Sequence, residues 1–251
     1  MLSDLEGARN FMDDIVIYGR NQKEHDERLR KVLCRLKEKG ITVNLEKCSF
    51  SQKEIQFLGH KLSGGGINLN DEKIRAVKEM RSPQSLTEVK SFLGFVNFFR
   101  KFIVNQATLT EPLRTLTMKS RSFKWGKEEE DAFTQLKNEI CAARVLQIFD
   151  PSLNTIVVSD ACPVGLGAIL LQSKDGKEKL IACASRSLTA FEKRYSQTEK
   201  EALGVVWAYE HFEKYLYGVQ FEMRTDHKPL CHLYANSIRP SARVERWKLR
   251  L

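Results

Sequence analysis

The chain has 251 residues, 42% of them apolar, with a formal net charge of +9 and a sequence pI near 9.2. That length suits two domains, or one with an appended unit, and the basic balance points to a polyanionic partner, nucleic acid being the commonest. No stretch approaches the roughly 18 consecutive apolar residues of a membrane span, and the opening residues have neither the basic nor the apolar region of a signal peptide. Six cysteines, at 34, 48, 141, 162, 183 and 231, make no Cys-x-x-Cys pair. This argues against a zinc site or a disulfide scaffold and for reduced intracellular thiols.

In chain order, the first third reads as strand, helix, strand, strand. Ile15, Val16 and Ile17 follow an acidic turn within residues 11–18. Leu29, Val32, Leu33 and Leu36 fall on one helical face, and Gly40 stands where a C-terminal cap belongs. Ile41, Val43 and Leu45 alternate as in a half-buried strand, and residues 55–62 form another strand. The run Gly64-Gly65-Gly66 is a turn or hinge, without the Lys-Ser/Thr ending of a phosphate loop.

Residues 70–118 read as helical. Ser85 and Glu88 have capping-box spacing. The helix they open carries Phe92, Phe95, Phe98, Phe99 and Phe102, mostly a core stripe. Its basic end, Arg100 and Lys101, is a candidate contact for a nucleic-acid backbone. A further helix over 127–141 puts Ala132, Phe133, Leu136 and Ile140 on one face. The segment from about 119 to 152 has no chemical signal of its own.

The last hundred residues read as strands, then helix, then strand. Gly165 and Gly167 suit a tight turn between strands. Ser196 and Glu199 form a second capping box, which leaves Glu201, one turn into the helix, as the free carboxylate. Asp160 ends one apolar run and Asp226 ends another. Two acids at strand ends and one on a helix can converge on hard divalent cations, which take oxygen ligands. Two such ions about 4 Å apart clamp the attacking and leaving oxygens of a phosphodiester.

The flanks of these acids carry a resemblance. Ser159-Asp160-Ala-Cys-Pro-Val-Gly165-Leu-Gly167, Tyr195-Ser-Gln-Thr-Glu-Lys-Glu201 and Arg224-Thr-Asp226-His227-Lys228-Pro229-Leu230 resemble the RNase H domain of gypsy-type LTR retrotransposon Pol polyproteins. Phe11-Met-Asp13-Asp14 resembles the Tyr-x-Asp-Asp box of reverse transcriptases, with Phe11 in place of Tyr. Phe57-Leu58-Gly59-His60 resembles the segment that grips the primer end, and residues 91–103 the thumb helix. The blocks stand in the family's order over essentially the whole chain.

The resemblance implies an α/β (α+β) architecture. Its expected parts are a partial palm over 1–66, a helical thumb over 67–118, a connection over 119–152 and an RNase H-like domain over 153–251 with a mixed five-strand sheet. It implies RNA-directed DNA polymerase and ribonuclease H activities, Mg²⁺ (or Mn²⁺) as cofactor, and Asp13, Asp14, Asp160, Glu201 and Asp226 as metal-binding catalytic residues. Residues 57–60, Arg100, Lys101 and His227 would contact nucleic acid. The implied partners are an RNA–DNA hybrid or primer–template and the rest of the polyprotein, fingers and integrase included. The implied place is inside the cell, in a cytoplasmic particle or the nucleus.

Three departures qualify the expectation. Residues 6–10 are polar where the family strand is apolar, Cys162 and Pro163 replace small polar residues, and a third polymerase carboxylate and a fourth RNase H acid fall outside the sequence. The polymerase is therefore expected to be incomplete, and a non-catalytic nucleic-acid-binding remnant is the alternative.

Overall fold

The structure, a computed structural model, describes residues 1–118, 122–143, 145–230 and 242–250. It divides into two compact units, Met1–Gly64 and Gly65–Leu251.

The first unit opens with a hairpin. Strands β1 (Ala8–Phe11) and β2 (Asp14–Ile17) pair antiparallel, with Phe11 opposite Asp14, so Met12 and Asp13 form the two-residue turn. Met12 takes the left-handed φ of 49° that such a turn demands. The polar residues before the box still form a strand, since a hairpin ladder needs only backbone groups.

Helix α1 (Gln22–Glu38) starts where the Asn21 side chain accepts from the Glu24 amide at 2.9 Å. It ends in a Schellman motif: Gly40 at φ 68° donates to the Lys37 carbonyl, and Ile41 to that of Leu36. Val32 and Leu36 are buried against Leu2 and Ala8, whereas Leu33 is exposed and Leu29 half-buried. The expected four-residue face is thus two residues wide.

The expected strand over 41–45 is absent. Asn44 caps a 3-10 turn, Leu45–Lys47, by accepting from the Glu46 amide, and Ile41, Val43 and Leu45 are all exposed. A local side chain-to-backbone bond has outcompeted the alternation. The single strand expected over 55–62 is a hairpin of β3 (Glu54–Phe57) and β4 (His60–Ser63). Leu58 and Gly59 turn it, with φ of 49° and 76°. A leucine in that conformation is uncommon, which is why the turn was not legible.

The second unit begins with β5 (Gly66–Leu69), α2 (Asp71–Glu79), α3 (Leu86–Phe98), α4 (Gln106–Leu109), α5 (Glu111–Leu116) and α6 (Lys127–Cys141). One core joins them, from Leu69 through Val77, Phe92, Val96, Phe99 and Leu113 to Leu136 and Ile140. Ala132, Phe133, Leu136 and Ile140 of α6 are all buried, as their spacing predicts. The capping box at Ser85 forms only in half: Ser85 accepts from the Glu88 amide, but the Glu88 carboxylate reaches the Gln84 amide instead.

Gly66 shows what close packing requires here. Its φ is 126°, and a Cβ there would lie 2.3 Å from the Leu146 carbonyl, beside the bridge between Ile67 and Leu146. Gly66→Ala is expected to cost about 2–3 kcal/mol of backbone strain, a fall of roughly 4–12 °C in Tm. Gly64→Ala, where a Cβ meets nothing within 4 Å, is the control, and equal melting of the two variants would contradict this.

The remaining strands form a mixed sheet of order β8-β7-β6-β9: β6 (Asn154–Ala161), β7 (Gly165–Lys174), β8 (Lys177–Ser187) and β9 (Phe221–Arg224). β6–β7 and β7–β8 are antiparallel and β6–β9 parallel. Four strands, not five, are found among the described residues. Helix α7 (Gln197–His211) lies across one face, packing Ala208 with Val157 and Leu170; α8 (Glu213–Leu216) follows, and α9 (Ala242–Lys248) packs on α7, its Val244 clustered with Ala202 and Val205. Gly165 and Gly167 lie within β7 and not in the turn expected from the sequence. The cysteines at 34, 48, 141, 162 and 183 are unbridged, and Cys231 lies outside the described residues.

Candidate metal centre

β6 and β9 run parallel and pair only as far as Val158 opposite Arg224. Beyond that point the two chains part, and Asp160 and Asp226 stand at adjacent carboxyl ends. In open sheets with helices on their faces, ligands gather outside such ends. The turn after β6 is held locally, the Cys162 amide donating to the Gly165 carbonyl at 2.9 Å.

Glu201 comes in from α7. The Ser196 box is complete: Ser196 Oγ accepts from the Glu199 amide, and Glu199 Oε2 accepts from the Ser196 amide at 3.1 Å. The other oxygen of Glu199 takes a hydrogen bond from Arg243 at 2.9 Å. Glu199 is therefore occupied at the cap, and Glu201 points inward and is buried. Glu201 Oε1 accepts from Gln197 Nε2 at 2.6 Å, and the same amide donates to the Ala161 carbonyl at 2.9 Å. Glu201 Oε2 is buried with no hydrogen-bond partner.

Asp160, Glu201 and Asp226 each offer an oxygen, all within 4.8 Å of one another, and among the described residues they are the one such group of three or more. Burial pushes the Glu201 carboxyl above its ordinary range; the Gln197 amide opposes this, and the charges of Asp160 and Asp226 add to it.

This stress has a measurable sign. Glu201 binds its proton more tightly in the folded chain than in the unfolded one, whose carboxyl titrates near 4.5. Its contribution to stability is thus greatest in acid and is lost as pH rises from about that value through the folded-state pKa. Glu201→Gln keeps an oxygen for Gln197 and removes the charge. Without added metal, it is expected to raise Tm at pH 7. The gain should shrink towards pH 4. A variant that melts below wild type at pH 7 would show that the three charges do not oppose one another.

None of the other sequence-predicted acids, nor His227, is a member of this group of three. Asp13 and Asp14 are exposed at the β1–β2 turn, with no third acid, histidine or cysteine grouped with them among the described residues. Residues 57–60 form the β3–β4 turn, with Leu58 exposed. Arg100 and Lys101 are exposed just after α3, and the Lys101 carbonyl accepts from the Cys183 amide on the edge strand β8 at 2.8 Å. His227 is half-buried, its Nε2 3.2 Å from Thr198 Oγ1 on the first turn of α7. The sequence reading missed Gln197, which was nevertheless visible as a polar residue four before Glu201 on the same helical face.

Two known families match segments of the chain. The reverse transcriptase (RNA-dependent DNA polymerase) family matches residues 7–62, and the RNase H-like domain found in reverse transcriptase matches 125–223. The Pol polyprotein of transposon 297 from Drosophila melanogaster is 36% identical over 242 residues, 96% of this chain and 22% of that one. That of transposon 412, from the same organism, is 34% identical over 96% of this chain and 19% of its own.

The chain belongs to the retrovirus-related Pol polyproteins of LTR retrotransposons.

It matches their reverse transcriptase/RNase H region. The Tf2-3 polyprotein of Schizosaccharomyces pombe is 32% identical over 95% of the chain and 18% of its own length. The chain thus spans about a fifth of the curated relatives it matches. Among solved structures, a foamy viral protease-reverse transcriptase in complex with RNA/DNA hybrid superposes with a TM-score of 0.81 at 25% identity, over 98% of this chain and 34% of that one. The same enzyme in complex with dsDNA gives 0.80 at 26% identity, over 100% and 53%.

Proposed function

We propose that the chain contributes to two active sites of such a polyprotein. Asp13, Asp14 and the turn at 57–60 belong to an RNA-directed DNA polymerase. Asp160, Glu201 and Asp226 belong to a ribonuclease that cuts the RNA strand of an RNA–DNA hybrid. The palm, thumb, connection and RNase H-like parts are assigned to 1–66, 67–118, 119–152 and 153–251. The substrate class, primer–template or hybrid, is supported by the complexes in which the foamy viral relatives were solved. No described helix is long and apolar enough to cross a membrane, and the proposed place of action is within the cell, in a cytoplasmic particle or the nucleus. The rest of the polyprotein, fingers and integrase included, is the proposed covalent partner.

One observation carries the ribonuclease: three carboxylates converge at the open ends of β6 and β9, and one of their oxygens is buried without a partner. The donors fit a hard divalent cation, being all oxygen. Both the unpartnered Oε2 and the crowding of like charge would be relieved by one. Bound there, Mg²⁺ or Mn²⁺ would supply Lewis-acid stabilisation of the charge that builds on a phosphodiester.

The residues of the chain prepare for this. Gln197 fixes Glu201 through Oε1 and leaves Oε2 for the shared site. The cap draws Glu199 away. Asp160 and Asp226 are exposed, where a duplex can reach them. A purely binding remnant is not favoured, because all three acids are present and together.

The test is a cleavage assay with Mg²⁺ or Mn²⁺ on hybrid, single-stranded RNA and duplex DNA, alongside Mn²⁺ binding by electron paramagnetic resonance. Metal-dependent cutting of the RNA strand in hybrid alone is expected. The absence of both cutting and bound Mn²⁺ would overturn the ribonuclease reading.

A further inference from the structure

Gly165 and Gly167 are explained by what lies over them. A Cβ on Gly167 would stand 1.9 Å from Asn105 Oδ1, and one on Gly165 would meet Ala107 Cβ and Thr108 Oγ1 at 3.5 Å. The segment that opens α4 is therefore seated on the sheet, and further bonds hold it. The Ala107 amide donates to Ser185 Oγ at 3.0 Å, and Thr108 Oγ1 lies 3.1 Å from Cys162 Sγ.

The register gives this seat its meaning. Gly167 pairs with Asp160 on one side and with Ser185 on the other. Residues directly opposite in a sheet share a face, with Cβ positions about 4.5–5.5 Å apart. Asp160, the Gly167 slot and Ser185 thus form one row across three strands, on the face away from α7. Asn105 Oδ1 fills the middle of that row, over the strand partner of Asp160.

Asn105 itself is held in the left-handed region at φ 53°, which asparagine tolerates better than most residues. Its side chain caps no amide of α4, so nothing in the helix accounts for its direction.

We propose that Asn105 is a positioning residue for the carboxylate site: its amide occupies the side-chain space missing at Gly167 and confines Asp160 to the orientation in which its carboxylate joins Glu201 and Asp226. This rests on the metal-site reading above and adds to it that the helical segment supplies one wall of that site. Groups of this kind, next to a ligand and not themselves ligands, typically change metal affinity by about 10–100-fold when removed.

The test uses the 251-residue chain and reads Mn²⁺ affinity and spectral shape by electron paramagnetic resonance, with Tm as the fold control. Asn105→Gly removes the amide and leaves the left-handed backbone free to form. It is expected to weaken Mn²⁺ binding by about 10-fold or more. The double variant Asn105→Gly/Gly167→Ala puts a methyl group into the vacated slot. It should recover Tm and still bind Mn²⁺ weakly, because a methyl group packs but does not orient a carboxylate. Recovery of wild-type Mn²⁺ affinity in the double variant would reduce Asn105 to a filler and overturn the proposal, as would undiminished binding by a folded Asn105→Gly. Asp160→Asn separates the two readings: if it binds Mn²⁺ like wild type, the metal site itself is misplaced.

Discussion

Asp160→Asn, Glu201→Gln and Asp226→Asn are each expected to lower hybrid cleavage by about 10²–10³ or more, the usual effect of removing one preorganised electrostatic group from a reacting centre. Glu199→Gln should leave cleavage within a few-fold of wild type. The comparison is sharp because Glu199 and Glu201 are two residues apart on one helix. The structure gives them different work. Glu199 closes the Ser196 box and holds Arg243, whereas Glu201 turns inward beside Asp160 and Asp226. Losing the Glu199 carboxylate therefore costs helix stability, about 0.5–2 kcal/mol if it behaves like other N-terminal caps. The measurement is the initial rate of RNA-strand cleavage in Mg²⁺ and Mn²⁺, on variants whose melting shows that they are folded. An essential Glu199 beside a dispensable Glu201 would reverse the roles assigned to the helix. Three silent substitutions would place the chemistry elsewhere.

Much of this site was legible in the sequence because its determinants are local. The Ser196–Glu199 box fixes the start of α7 within one turn, and that register alone sets Glu201 inward. The apolar spacing of α6 predicted its bounds and all four buried residues, since the helix packs on a large core and its stripe goes unchallenged by local alternatives. The reading failed where the deciding contact is distant or the conformation is atypical. Alternation at Ile41, Val43 and Leu45 lost to the Asn44 cap. The β3–β4 turn was hidden because Leu58 is an unexpected occupant of positive φ. The glycines of β7 looked like turn residues because their real constraint comes from Asn105, Ala107 and Thr108, far away along the chain. No local pattern records that approach.

Binding to a hybrid duplex should be steeply dependent on salt, and unpaired cations should contribute more to the slope than paired ones. Some of the basic charge is already committed: Arg28 pairs with Glu6 and Glu24, Arg186 with Glu192, Arg224 with Glu178 and Glu222, and Arg243 with Glu199. Arg100 and Lys101 are exposed and make no ion pair with any described residue. A cation already paired has to give up its partner before it can neutralise a phosphate, so the uncommitted ones dominate counterion release. Each phosphate neutralised contributes about 0.9 to the slope of log K against log salt on B-DNA, a figure that serves as a guide for a hybrid. If the chain makes about six such contacts, affinity falls by roughly 10³ between 50 and 200 mM salt. Arg100→Ala/Lys101→Ala should lower the slope by nearly 2, whereas Arg224→Ala should leave it almost unchanged. Fluorescence anisotropy of a labelled hybrid, titrated at several salt concentrations, measures both. Affinity indifferent to salt would exclude phosphate contacts as the source of binding. An equal loss of slope from Arg224→Ala would mean that the ion pairs of β9 open on binding and that the duplex crosses the end of the sheet beside Asp226.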